Sequence, residues 1–116
     1  LTAVLIGVDV EDHAGECMRF GAKKVIVVQD KVFSPFSETI YGRVFADLAK
    51  RWRPDIILSG ATERAKAFMP ISATLLETGL TANCMGLDVE PDTRTLLQTR
   101  PAYGGNLMAT IVCRKA

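Results

Sequence analysis

Three short apolar runs, each followed by a stretch with the spacing or the caps of a helix, constrain this chain most. Residues 3–8 (AVLIGV), 25–28 (VIVV) and 55–59 (DIILS) do not alternate apolar with polar. Runs of that kind suit strands buried on both faces of a parallel sheet. After the first run, residues 12–20 predict a short helix, with Gly21 where a helix C-cap glycine belongs. Gly15 weakens that helix by about 1 kcal/mol relative to alanine. A loop over residues 29–36, punctuated by Ser34-Pro35, follows the second run. The clearest helix comes next. Ile40, Val44, Leu48 and Trp52 step by four, with Tyr41, Phe45 and Ala49 beside them, so one wide apolar face is predicted. Arg43, Asp47, Lys50, Arg51 and Arg53 fall mostly elsewhere, and Pro54 ends the helix by pushing its predecessor out of the α region. The third run leads into Ser59-Gly60-Ala61-Thr62 and a helix ending near Thr78, with Gly79 as a second cap glycine. Pro70 lies inside that window, which predicts either a late helix start that places it in the first turn or a kink.

Residues 79–113 have no helical periodicity and read as three strands, with turns at Pro91-Asp92 and at Gly104-Gly105-Asn106. The order is therefore β-α-β-α-β-α followed by an antiparallel meander. An α/β fold is expected: a three-layer, Rossmann-like parallel sheet with right-handed crossovers, helices on both faces, and the meander extending or leaving it. In such folds ligands lie beyond the carboxyl ends of the strands. Here those ends are Val8-Asp9-Val10, Gln29-Asp30-Lys31 and Ser59-Gly60-Ala61-Thr62.

At 116 residues the chain is one domain or part of one, read as a single α/β domain over 1–116. A formal net charge of +1 with mixed signs argues against a nucleic-acid or membrane-surface role, which needs a field of one sign. No apolar run reaches the roughly 20 residues of a membrane helix. Cys17, Cys84 and Cys113 are widely separated and lack CxxC spacing, so buried reduced thiols are expected, in a cytoplasm-like compartment. His13, the single histidine, is expected on the surface, and no metal constellation is visible. The chain enters an apolar run directly after Leu1 and stops three residues after a strand, so both ends read as cuts through a larger polypeptide.

Three places carry polar groups with a possible role. Ser59-Gly60-Ala61-Thr62 is a small-residue loop whose amides could hold a phosphate. It has neither the Lys-Ser/Thr of a P-loop nor GxGxxG, and a tight connection with Thr62 as helix cap explains it equally well. Asp9, Glu11, Asp12 and Asp30 could form an acidic rim, with solvated loop carboxylates as the default. No serine, cysteine or lysine has an identifiable activating base. The meander stretch carries Thr81, Asn83, Arg100, Tyr103 and Asn106, the last three set around Gly104 and Gly105. They could form a recognition corner or a turn that simply faces water.

At this stretch a family resemblance emerges. GLTANCMGLDVEPDTRTLLQTRPAYGGNLMATIVC resembles the end of the N-terminal domain of electron transfer flavoprotein alpha subunits, and GAKKVIVV and KRWRPDIILSGAT are similar to that family's second- and third-strand blocks. The resemblance covers essentially the whole chain. Asn83 stands where the family usually has aspartate, and Glu63-Arg64-Ala65-Lys66-Ala67-Phe68 replaces the usual block after the loop. The Arg-Pro-Ala-Tyr-Gly-Gly-Asn form is closer to bacterial than to mitochondrial members. The resemblance implies a non-catalytic scaffold domain of the adenine nucleotide alpha hydrolase-like architecture. It implies a heterodimer with a beta subunit, carrying electrons between flavoprotein dehydrogenases, such as acyl-CoA dehydrogenases, and an acceptor, in a prokaryotic cytoplasm. The redox FAD would be held mainly by a C-terminal domain absent from these residues. No cofactor is then expected on these residues themselves, and Thr81, Arg100, Tyr103, Gly104, Gly105 and Asn106 are the candidates to face the partner or its nucleotide. A stand-alone nucleotide-binding or nucleotide-hydrolysing module using Ser59 to Thr62 is the alternative.

Overall fold

The structure is a computed structural model and describes residues 1–82, 84–102 and 107–112. The chain divides into two compact units, Leu1–Tyr41 and Gly42–Ala116.

In the first unit the two leading apolar runs are strands, β1 (Thr2–Gly7) and β2 (Lys24–Gln29). They pair in parallel from Thr2 opposite Lys24 to Gly7 opposite Gln29. The connection is a 3-10 turn, Glu11–His13, followed by α1 (Ala14–Arg19), a shorter helix than residues 12–20 predicted. Its end is as expected. Gly21 takes φ 113°, its N–H donates to the Met18 carbonyl at 3.1 Å, and the Ala22 N–H donates to that of Cys17 at 3.1 Å. Those two bonds satisfy the last carbonyls of the helix, and only glycine reaches that φ without strain. After β2, the Asp30 carboxylate accepts from the Val32 N–H at 3.0 Å and sets a second 3-10 turn, Lys31–Phe33. Phe33 is thereby turned inward, 4% exposed, edge-on to Tyr41 with ring centroids 5.2 Å apart.

Ser37 caps the long helix α2 (Glu38–Trp52), its hydroxyl accepting from the Ile40 N–H at 3.4 Å. In the second unit α3 (Glu63–Leu75) packs on α2 through small residues. The buried Ser72 hydroxyl donates to the Gly42 carbonyl at 2.8 Å. A Cβ on Gly42 would lie 2.7 Å from Ile71 Cγ2 and 3.2 Å from the Phe68 carbonyl oxygen. Phe45 and Phe68 flank the seam with centroids 6.3 Å apart. The meander is present as β3 (Gly86–Val89), β4 (Leu96–Ala102) and β5 (Leu107–Val112), antiparallel in that order. The Pro91-Asp92 turn joins β3 to β4, closed by the Glu90 N–H to the Thr95 carbonyl at 2.9 Å. The predicted turn at Gly104-Gly105-Asn106 lies outside the described residues.

The fold is α/β, but four expectations need correction. The strands form two separate sheets, a parallel pair and an antiparallel triplet. The third apolar run forms no ladder among the described residues, and Ile56 and Leu58 are exposed by 41% and 62%. An apolar run signals a preference for burial, whereas a strand also needs a neighbour that the run cannot specify. Pro70 sits at the eighth position of α3, so the helix does not start late enough to place it in the first turn. Thr62 is a strong cap and the following residues favour helix, so the helix begins well before the proline. Gly79 is not the cap of α3. That place is taken by Glu77, at φ 55°, with its N–H on the Thr74 carbonyl and the Thr78 N–H on that of Ala73.

Two stability measurements follow. Gly42→Ala forces a methyl against Ile71 and is expected to cost about 1–3 kcal/mol in chemical denaturation. Glu77→Gly relieves the left-handed backbone and is expected to add about 1 kcal/mol.

Candidate functional site

The carboxyl ends of β1 and β2 adjoin in the first unit, as predicted for a crevice, and the chain's own side chain fills the spot. The Gln29 side-chain oxygen accepts from the N–H groups of Val10 and Glu11 at 3.0 and 3.1 Å. Its amide nitrogen donates to the Glu11 carboxylate at 3.3 Å. The backbone donors that would meet a ligand's anionic group are therefore used internally. Asp9, Glu11, Asp12 and Asp30 are all exposed, and Asp30 is engaged as the turn cap. His13 is exposed as well. Among the described residues, no three His, Cys, Asp or Glu side chains are placed to hold a metal ion.

In the second unit an open cleft of about 670 Å³ brings together two features that are far apart in sequence. Ser59, Gly60 and Ala61 line it from one side and Thr81 from the other. Lys66 is the one charged residue in its lining among the described residues, and Leu58, Leu80 and Leu87 supply much of its apolar wall. Thr62 serves as the helix cap: its hydroxyl accepts from the Ala65 N–H at 3.2 Å. Glu63 adds a carboxylate in the first turn of α3, so the positive end of the helix already has its negative partner. Ser59 donates its hydroxyl to the neighbouring Gly60 carbonyl at 3.2 Å. Cys84 lines the same cleft, and its thiol donates to the Thr81 carbonyl at 3.6 Å.

The meander contributes one face to this region. On β4, Leu96, Gln98 and Arg100 alternate onto one side, paired on β3 with Val89 at Leu96 and Leu87 at Gln98. Leu96 and Gln98 line the cleft, as they do a second, adjoining cleft of about 890 Å³ bounded by Ile56, Val89 and Arg94. Arg100 stands half-buried one step further along that side, opposite Ala109 of β5. Asn83, Tyr103, Gly104, Gly105 and Asn106 lie outside the described residues. The structure therefore joins Thr81 to the Ser59 loop and puts Arg100 on the same sheet face as the cleft wall. Gln29 was noted in the sequence only as a strand end. Its clamp could be found only once β1 and β2 were known to be neighbours.

What this arrangement offers is shape and apolar surface with a few hydroxyls and one cation. The glycine-loop amides lead into a helix whose N-terminus is occupied by Thr62 and faced by Glu63. Among the described residues no helix is long and apolar enough to cross a membrane.

Comparison with known proteins identifies the family. The model of the electron transfer flavoprotein domain matches residues 1–116. The chain is 47% identical over 111 residues to a protein named electron transfer flavoprotein subunit alpha from Thermoanaerobacterium thermosaccharolyticum, covering 96% of this chain and 33% of that protein. It is 43% identical over 113 residues to the protein of the same name from Clostridium acetobutylicum, covering 97% and 34%. With the namesake from Megasphaera elsdenii it shares 42% over 111 residues, covering 96% and 33%. The chain thus spans about a third of the length of the curated relatives it matches. A match along every residue, with the meander included, places this chain in the electron transfer flavoprotein domain family.

Proposed function

We propose that these 116 residues form a non-catalytic scaffold domain of an electron transfer flavoprotein alpha subunit. The observation that carries this reading is similarity along the whole chain to proteins named as that subunit. In it the chain is part of the alpha subunit's N-terminal domain and pairs with a beta subunit. The assembled carrier takes electrons from flavoprotein dehydrogenases, acyl-CoA dehydrogenases among them, and passes them to an acceptor in the cytoplasm of a prokaryote. FAD supplies the redox chemistry there and is held by a domain other than this one. The internal use of the β1–β2 edge by Gln29, and of the α3 start by Thr62 and Glu63, supports that assignment. The reading includes a three-layer, Rossmann-like arrangement of the adenine nucleotide alpha hydrolase kind, for which the parallel β1–β2 pair and its α1 crossover are the elements in hand.

Thr81, Arg100, Tyr103, Gly104, Gly105 and Asn106 face the beta subunit or its nucleotide in this reading. Arg100 has the character of such a residue: a half-buried arginine on an open sheet face, beside apolar and amide neighbours.

Titration calorimetry of the chain with AMP, ATP and FAD is expected to give no binding below about 1 mM, near −4 kcal/mol. Micromolar binding of any of the three would instead support a nucleotide-binding module. In the complete alpha subunit, Arg100→Ala with Asn106→Ala is expected to weaken assembly with the beta subunit by roughly 2 kcal/mol or more. Unchanged assembly and unchanged electron transfer would remove the corner from the interface.

A further inference from the structure

We propose that the larger cleft of the second unit, about 890 Å³, binds a free amino acid with an apolar side chain. Its volume lies within the roughly 300–1,000 Å³ of small-molecule sites. Three backbone turns build its walls. Arg53 ends α2 at φ 49°, with its N–H on the Ala49 carbonyl at 2.8 Å, and residues 54–57 run on from there along the cleft. Glu77 ends α3 at φ 55°, directly after Leu76 of the lining. Arg94, at φ 58°, closes the turn between β3 and β4 with its N–H on the Glu90 carbonyl at 2.7 Å, and it lines the cleft itself.

Among the described residues these three are the non-glycine residues at positive φ, and each is in the lining or next to it. Backbone of that kind gathers at ligand sites. The helix ends account for Arg53 and Glu77. No local reason calls for arginine at position 94, where glycine or asparagine would fit with less strain. What arginine adds there is a charge at the cleft.

The charges select the class of ligand. Asp55 and Arg94 are the one acid and the one base in the described lining, and every other residue there is uncharged. Both are exposed, and neither forms an ion pair among the described residues, although they border one cleft. A polyanion such as a nucleotide would meet one guanidinium and be opposed by the Asp55 carboxylate, and a simple cation would be opposed by Arg94. A zwitterion gives each group its counter-charge. Its carboxylate accepts from the Arg94 guanidinium fork, and its ammonium donates to the Asp55 carboxylate. The half-buried Ile57, Leu76 and Leu96 line the same cleft, so an aliphatic side chain on the ligand finds apolar surface there. Each methylene it buries strengthens binding roughly fourfold. This inference does not depend on the family reading, which assigns no ligand to this cleft.

L-Leucine is the probe. In amide correlation spectra of the isotope-labelled chain it is expected to shift Ile56, Ile57 and Leu96 saturably, with Kd of about 1 mM or tighter. Glycine, which lacks the side chain, is expected to bind about tenfold or more weakly. So are isocaproate and isoamylamine, which are leucine without its ammonium and without its carboxylate, about tenfold or more weakly each. D55N is expected to weaken leucine by about tenfold and to leave isocaproate no weaker, whereas R94Q weakens leucine and leaves isoamylamine no weaker. That crossed pattern assigns each charge to its counterpart, which a merely structural effect of either substitution would not reproduce. The dispersion of the spectra checks that each variant is folded. Arg94→Gly, which removes the side chain and relieves the backbone, repeats the test if R94Q does not fold. The proposal is overturned by any of three results. Leucine gives no saturable shift at these residues, either single-charge analogue binds as tightly as leucine, or D55N and R94Q bind leucine as the natural chain does. No nucleotide, flavin or beta subunit enters the assay, so its outcome and that of the nucleotide and assembly experiments are read separately.

Discussion

The close approach of α3 to the backbone of α2 at Gly42 is the contact on which the second unit depends. Hydrogen in place of a side chain lets Ile71 sit where a Cβ would be, and the Ser72 hydroxyl then reaches the Gly42 carbonyl. A buried hydroxyl without a partner costs roughly 1–3 kcal/mol, so the bond and the close approach require one another. With α3 held in this way, its two ends are placed as well. Thr62 starts it next to the Ser59 loop, and Glu77 ends it just before the segment carrying Thr81. Both sides of the 670 Å³ cleft thus descend from one helix and its seam.

The first unit solves a different problem. A parallel pair of strands leaves backbone donors at its carboxyl edge, and in many α/β domains a ligand takes them. Here the Gln29 amide takes them instead and reaches on to Glu11. The α3 start in the second unit is closed by the same logic, with a threonine cap and a first-turn carboxylate in the place an anion would want. Two sites that the fold class makes available are both satisfied from within.

Much of the architecture was legible from local chemistry. The first two apolar runs became strands, Gly21 became a left-handed cap, Thr62 became an N-cap, and the meander appeared with its Pro91-Asp92 turn. The errors have a common source. The third apolar run announced burial but lacks a ladder, the apolar spacing that included Trp52 overstated the buried face, and Gly79 was preferred to Glu77 as a cap. Each was a judgement about a partner made from one side of the contact. Where a capping hydrogen bond closes within a few residues, sequence is a good guide; where it needs a surface dozens of residues away, sequence is not.

The sequence by itself determined the family, because a long block of glycines, prolines and polar residues around Arg100 is a pattern that chance does not assemble. It also determined the first two strands, from unbroken apolar runs, and the long helix α2, from apolar residues recurring with the 3.6-residue helical period. Tertiary structure alone decided that Thr81 meets the Ser59 loop across a cleft, that Gln29 closes the β1–β2 edge, and that Trp52 is left half exposed. These outcomes depend on which surfaces meet. Local backbone preference is a short-range energy, whereas burial and pairing belong to two segments at once.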